Sequence, residues 1–97
     1  MSSVLGFVAI DKTGTVLHSS GVQSVQRIGR GHWQIFFDFS VANAVEVASL
    51  GQAIEDILIA AYGEPDIAPN EVTVRTYVHS SVPDGGYDAT FQLIVVG

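Results

Sequence analysis

The residues of this chain that could do chemistry are few and widely spaced. His18, His32 and His79 stand far apart, without the HxH or HExxH spacing that brings two imidazoles to one metal. Each falls on the polar side of its segment and reads as a surface histidine. Serines are common, but no GxSxG elbow presents one as a nucleophile. No glycine-rich stretch opens a helix carrying a lysine, so no phosphate cradle is encoded. The acid pairs Glu64/Asp66 and Asp84/Asp88 sit among turn residues and lack the spacing of a calcium loop. Cysteine is absent, which removes disulfides, zinc–thiolate centres and thiol catalysis. These residues assign no catalytic group, no metal and no cofactor, and the expectation is a protein that is not an enzyme.

One segment concentrates side chains of another kind. Residues 29–39, GRGHWQIFFDF, hold the only tryptophan and three of the five phenylalanines. Two readings of Trp33 stand side by side. As a strand residue it belongs to a core. At the rim of a sheet, beside Arg27, Arg30 and His32, its indole could stack on a sugar ring. In that second arrangement Trp33 or Tyr87 carries the ligand, with His32, Asp84 and Asp88 bonding its hydroxyls, and the chain is a carbohydrate-binding module for a surface glycan.

The elements that must position these residues are strands. In 32–39 the odd positions Trp33, Ile35, Phe37 and Phe39 are all apolar, whereas the even ones are His32, Gln34, Phe36 and Asp38. A two-residue period places one set inward and the other outward, which favours Trp33 in a core. Residues 71–79 repeat the pattern, with Val72, Val74, Thr76 and Val78 facing opposite to Thr73, Arg75, Tyr77 and His79. Residues 88–96 place Ala89, Phe91, Leu93 and Val95 on the core side. Residues 4–10 are apolar on both faces, as in a strand covered on both sides. Further strands are expected over 15–19, 22–28 and 44–50. Asp11–Gly14, 19–21, 29–31 and 80–86 carry turn chemistry, and the prolines and glycine of 63–70 predict a loop. Residues 53–62 are ambiguous. Ile54, Ile57, Leu58 and Ala61 suit one face of a short helix, and 57–62 equally suits a buried strand. The fold class expected is all-β: a single-domain antiparallel β-sandwich of seven to eight short strands over 1–97, with either a strand or one short helix near 53–62.

Composition bounds the partners. Of the 97 residues, 47% are apolar and 14% charged, and the net charge is −6. A domain this small has a modest core, so part of its apolar surface must meet another molecule, most simply a second copy. The outward-facing Phe36, Tyr77, Ile94 and Val96 are the expected interface of a homo-oligomer. Residues 31–74 contain seven acids and no lysine or arginine, so nothing there displaces counterions from nucleic-acid phosphates or adheres to an anionic membrane. No segment has the ~20 apolar residues of a membrane-spanning helix. The first ten residues lack the basic region and apolar length of a signal peptide. Export, if any, is expected through lysis or within a larger particle.

The order of these motifs adds a resemblance. GTVLHSSGVQSVQRIGRGHWQIFFDFSV, followed by NEVTVRT at 70–76 and DATFQLIVV at 88–96, resembles a recurring pattern of small β-rich domains in bacteriophage tail-fibre-like and bacterial surface proteins. It covers about two-thirds of the chain, and its motifs are hairpin features rather than chemistry. The resemblance implies a β-sandwich acting as a structural or attachment module, commonly oligomeric, in a phage or phage-like particle. It also favours a strand over 57–62, although QAIEDILIAAY is longer and more apolar than the polar loop of the pattern.

Overall fold

The computed structural model describes residues 3–51, 57–64, 68–78 and 86–97. The chain forms eight strands: β1 (Val4–Ile10), β2 (Val16–Ser20), β3 (Val22–Gly29), β4 (His32–Phe37), β5 (Val45–Leu50), β6 (Ile57–Glu64), β7 (Ala68–Val78) and β8 (Phe91–Val96). They make two four-stranded antiparallel sheets. Sheet A has the order β2-β1-β8-β5 and sheet B the order β3-β4-β7-β6. The sheets pack face to face as a β-sandwich, the fold class expected from the alternation. Residues 57–62 are strand, paired with β7 from Ile57↔Val78 onward. The short helix therefore does not form over 57–62, and residues 53–56 lie outside the described residues.

The interior follows the two-residue period. Val8 and Ile10 of β1 and Phe91, Leu93 and Val95 of β8 meet Trp33, Ile35 and Phe37 of β4 and Val72 and Val74 of β7. All are essentially removed from water. Trp33 is 2% exposed, and its ring lies 6.1 Å from that of Phe91 at a 56° tilt, a favourable edge-inclined aromatic geometry. Phe39 lies beyond the end of β4, where its ring packs 5.1 Å from that of Phe37. A Cβ at Gly6 or Gly21 would strike the Phe39 ring, so both glycines make room for it. Gly21 also has φ +74°, which turns the chain between β2 in sheet A and β3 in sheet B.

Two local expectations shift. Of the loop expected over 63–70, Gly63 and Glu64 belong to β6 and residues 68–70 to β7, while residues 65–67 lie outside the described residues. Pro69 is tolerated there because the β4 ladder begins only at Glu71, and its carbonyl accepts the Val41 amide at 2.7 Å. The strand expected over 32–39 ends at Phe37, where Asp38 donates its amide to the Gly21 carbonyl. The 11–14 turn closes on Asp11, whose Oδ1 accepts the Thr13 hydroxyl and the Thr13 and Thr15 amides. Those bonds, led by the one from the Thr13 hydroxyl, hold its carboxyl below the ordinary value.

Replacing Phe91 by Ala is expected to cost about 3–5 kcal/mol, and by Leu distinctly less. Urea unfolding followed by the fluorescence of Trp33 measures both. Midpoints within error of the parent would contradict the core assignment.

Candidate functional site

Two surfaces stand out, one made by sheet A and one by the β3–β4 turn. The first is the outer face of sheet A. Phe7 of β1 lies opposite Ile94 of β8, and Ile94 lies opposite Val47 of β5. Val45, Val96 and Val4 form a second row across the same three strands. Ala9, Gln92 and Ser49 form a third, in which Gln92 donates to the Ser49 hydroxyl at 2.9 Å. The first row is apolar across three strands and open to solvent, with Phe7 38%, Ile94 39% and Val47 52% exposed. A shallow hollow of about 590 Å³ runs along Val4, Phe7, Ala9, His18 and Ile94. No Asp, Glu, Lys or Arg belongs to these rows. β1 was expected to be covered on both faces, but within one chain its Phe7 side is bare.

The expected interface residues do not form one surface. Ile94 and Val96 belong to the outer face of sheet A, whereas Phe36 and Tyr77 belong to the outer face of sheet B, opposite Glu71 and Leu58 respectively. Counting residues along a strand assigns a face within that strand. It cannot say which sheet the strand joins, so residues 36 and 77 were grouped with residues of the opposite side. Val4, Phe7, Val45 and Val47 escaped the sequence reading. The available signal was the outward set Val45–Val47–Ser49, which is apolar where an edge strand is normally charged.

The second surface is built around Gly31. Its carbonyl accepts the Thr76 amide at 2.9 Å, and the Thr76 carbonyl accepts the Tyr87 amide at 3.0 Å. The buried Thr76 hydroxyl donates to the Tyr87 carbonyl. Gly31 has φ +65°, and a Cβ there would collide with the Thr76 carbonyl and the Tyr87 backbone. Only glycine suits a left-handed conformation packed this closely. Asp88 completes the knot, accepting the Gly31 amide at 2.7 Å and the Arg27 guanidinium at 2.7 Å.

The expected ligand residues are thereby sorted. Arg30, His32, Tyr87 and Asp88 come to one end of the sandwich, with Arg30 and Tyr87 exposed and His32 half-buried. Asp84 lies outside the described residues. Trp33 does not sit at a rim, since its indole is inside the sandwich and its Nε1 is buried without a hydrogen-bond partner. An indole so placed has no face to offer a sugar. The oxygens of Asp88 are engaged with Gly31 and Arg27, which makes it a strut of the turn. Arg75, which no motif singled out, stands directly opposite His32 across the β4–β7 ladder.

Comparison with protein-family models, with curated proteins and with solved structures finds no match for this chain.

Partial burial pushes the Asp88 carboxyl up. The bonds from Arg27 and Gly31 and the charges of Arg27 and Arg30 outweigh that effect and hold it below its ordinary value. A carboxylate with a depressed folded-state pKa stabilises the fold above its unfolded pKa, near 4, and loses that contribution as pH falls through the folded one. Asp88→Asn is therefore expected to lower stability at neutral pH by about 1 kcal/mol, a modest figure because Arg27 is half exposed and screened. The difference should shrink below about pH 4. Urea midpoints measured between neutral and acid pH test this, and a deficit independent of pH would contradict it.

Proposed function

We propose that this domain is a non-enzymatic structural or attachment module that self-associates by burying the outer face of sheet A against a second copy. The observation that carries this reading is the uncharged row Phe7–Ile94–Val47 across β1, β8 and β5. Charge argues for the occupant. Copies with a net charge of −6 repel one another at long range, so they must meet through a surface that brings no carboxylates together. The rows of this face contain none.

Four strands spaced about 4.8 Å apart, five to seven residues long at about 3.3 Å per residue, make a flat footprint of about 400 Å². A standard interface takes about 800 Å² of accessible surface from each partner, so this face would supply about half of one and the strand edges and turns around it the rest. The apolar rows would supply its core, and His18, Ser20, Ser49 and Gln92 a polar rim. The resemblance to domains of phage tail-fibre-like and bacterial surface proteins supports a particle as the setting, with this face joining copies of the module.

Ile94 is central to the face and already solvent-exposed, so Ile94→Lys should leave the fold intact. It is expected to weaken self-association by at least about tenfold, as read by sedimentation at micromolar concentration. Leu58→Lys, on the outer face of sheet B, should leave association unchanged. A parent protein that is monomeric at those concentrations, or an Ile94→Lys variant that associates as well as the parent, would overturn the proposal.

A further inference from the structure

The outer face of sheet B carries a feature that self-association does not use. Gly29 at the end of β3, Arg30 in the turn, His32 at the start of β4 and Arg75 on β7 line an open hollow of about 450 Å³. The chain has four lysines and arginines against ten acids, yet two of the four meet here beside an imidazole. Arg27, a third, is at the same end but held by Asp88, the one ion pair among the described residues. On this face the nearest described carboxylate along β7 is Glu71, four residues or about 13 Å from Arg75, and it accepts the Thr73 hydroxyl. No carboxylate lines the hollow among the described residues.

The arrangement is held in place rather than incidental. His32 and Arg75 are direct cross-strand partners, which sets an imidazole beside a guanidinium on neighbouring strands. Arg30 is fixed relative to both by the neighbouring Gly31 knot, because the Thr76 amide that bonds Gly31 follows Arg75 directly in β7. Gly29 leaves the wall open, since a Cβ built there would meet nothing within 4 Å.

We infer that this hollow binds a phosphate or sulfate group carried as an ester on a small molecule. Two guanidinium forks and an imidazole N–H suit the several oxygens of a tetrahedral oxyanion, because each fork can bond two oxygens at once. The volume is many times the roughly 30 Å³ share of a single water, which leaves room for the group that carries the oxyanion. Charge-assisted bonds make up the recognition, so affinity should fall as salt is added.

The test uses the whole chain, with amide chemical shifts recorded during titration with inorganic phosphate, inorganic sulfate, glucose 6-phosphate, glucose 6-sulfate and glucose. At least one ester is expected to shift the signals of Arg30, His32 and Arg75 saturably, and more tightly than its inorganic ion. Glucose alone should not. A preference between the two esters tells which oxyanion the site takes. Arg75→Gln and Arg30→Gln should each weaken binding by about tenfold or more. Gly29→Val, whose Cβ would meet nothing within 4 Å, should block it while leaving the remaining spectrum in place. Absence of saturable shifts with either ester, or equal binding by Gly29→Val and Arg75→Gln, would overturn the inference. Neither result depends on the association state, which Ile94→Lys reads separately.

Discussion

Ile10, Phe91, Leu93 and Val95 from one sheet meet Ile35, Phe37, Val72 and Val74 from the other, and each is completely or almost completely withdrawn from water. At about 1.5–3 kcal/mol for each large apolar side chain, this burial is the main force available to a 97-residue domain without disulfides. It commits the inward faces of the four central strands β1, β8, β4 and β7. Everything that distinguishes the molecule is then written on what remains: two outer faces, two open sandwich edges and the turns at the ends.

The two outer faces are unlike each other, and the difference is physical. The outer face of sheet B mixes the polar and charged His32, Gln34, Glu71 and Arg75 with the apolar Phe36, Leu58 and Tyr77. Sheet A presents Phe7, Ile94, Val47 and Val45, which water solvates poorly. A sandwich whose sole task was to be stable would gain little from exposed valines on an edge strand, and it would expose itself to uncontrolled pairing. An apolar outer face is consistent when the solvent of that face is another protein surface. The edge strand β5 then becomes the border of an interface rather than a liability.

How much of this was legible depends on the range of the interaction. The period-two pattern of His32–Phe37 and of 71–78 is local, and it located Trp33, Ile35, Phe37, Val72 and Val74 correctly on the core side. The strand at 57–62 is consistent with its apolar run, although periodicity alone left a helix equally open. Pairing between sheets was not legible. The grouping of Phe36 and Tyr77 with Ile94 and Val96 failed because face assignment needs to know which sheet a strand joins. The meeting of Arg30, His32 and Arg75 depends on β4 lying beside β7, about forty residues apart in the chain, and no local spacing reports that. The rim position for Trp33 falls to the same local period, which turns the indole inward against Phe91.

The Gly31 knot links these levels. Without a side chain at residue 31, the turn can lie against the Thr76 carbonyl and the Tyr87 backbone, and Asp88 can reach both the Gly31 amide and Arg27. That contact fixes where β8 enters sheet A, because Ala89 and Phe91 follow Asp88 directly into the core. It equally fixes where Arg30 stands relative to Arg75 in sheet B. The same few hydrogen bonds therefore tie the approach to β8 in sheet A to the β4–β7 pair beside the basic hollow in sheet B. Gly31→Ala should consequently do more than introduce local strain. Beyond the roughly 1 kcal/mol of a left-handed alanine, it forces the turn away from Thr76 and Tyr87, so stability should fall by at least about 2 kcal/mol. In whatever folded fraction remains, amide shifts should move at Arg75 and Phe91 together. A variant as stable as the parent, or one perturbed only within the turn, would show that the two sheets are positioned independently of this contact.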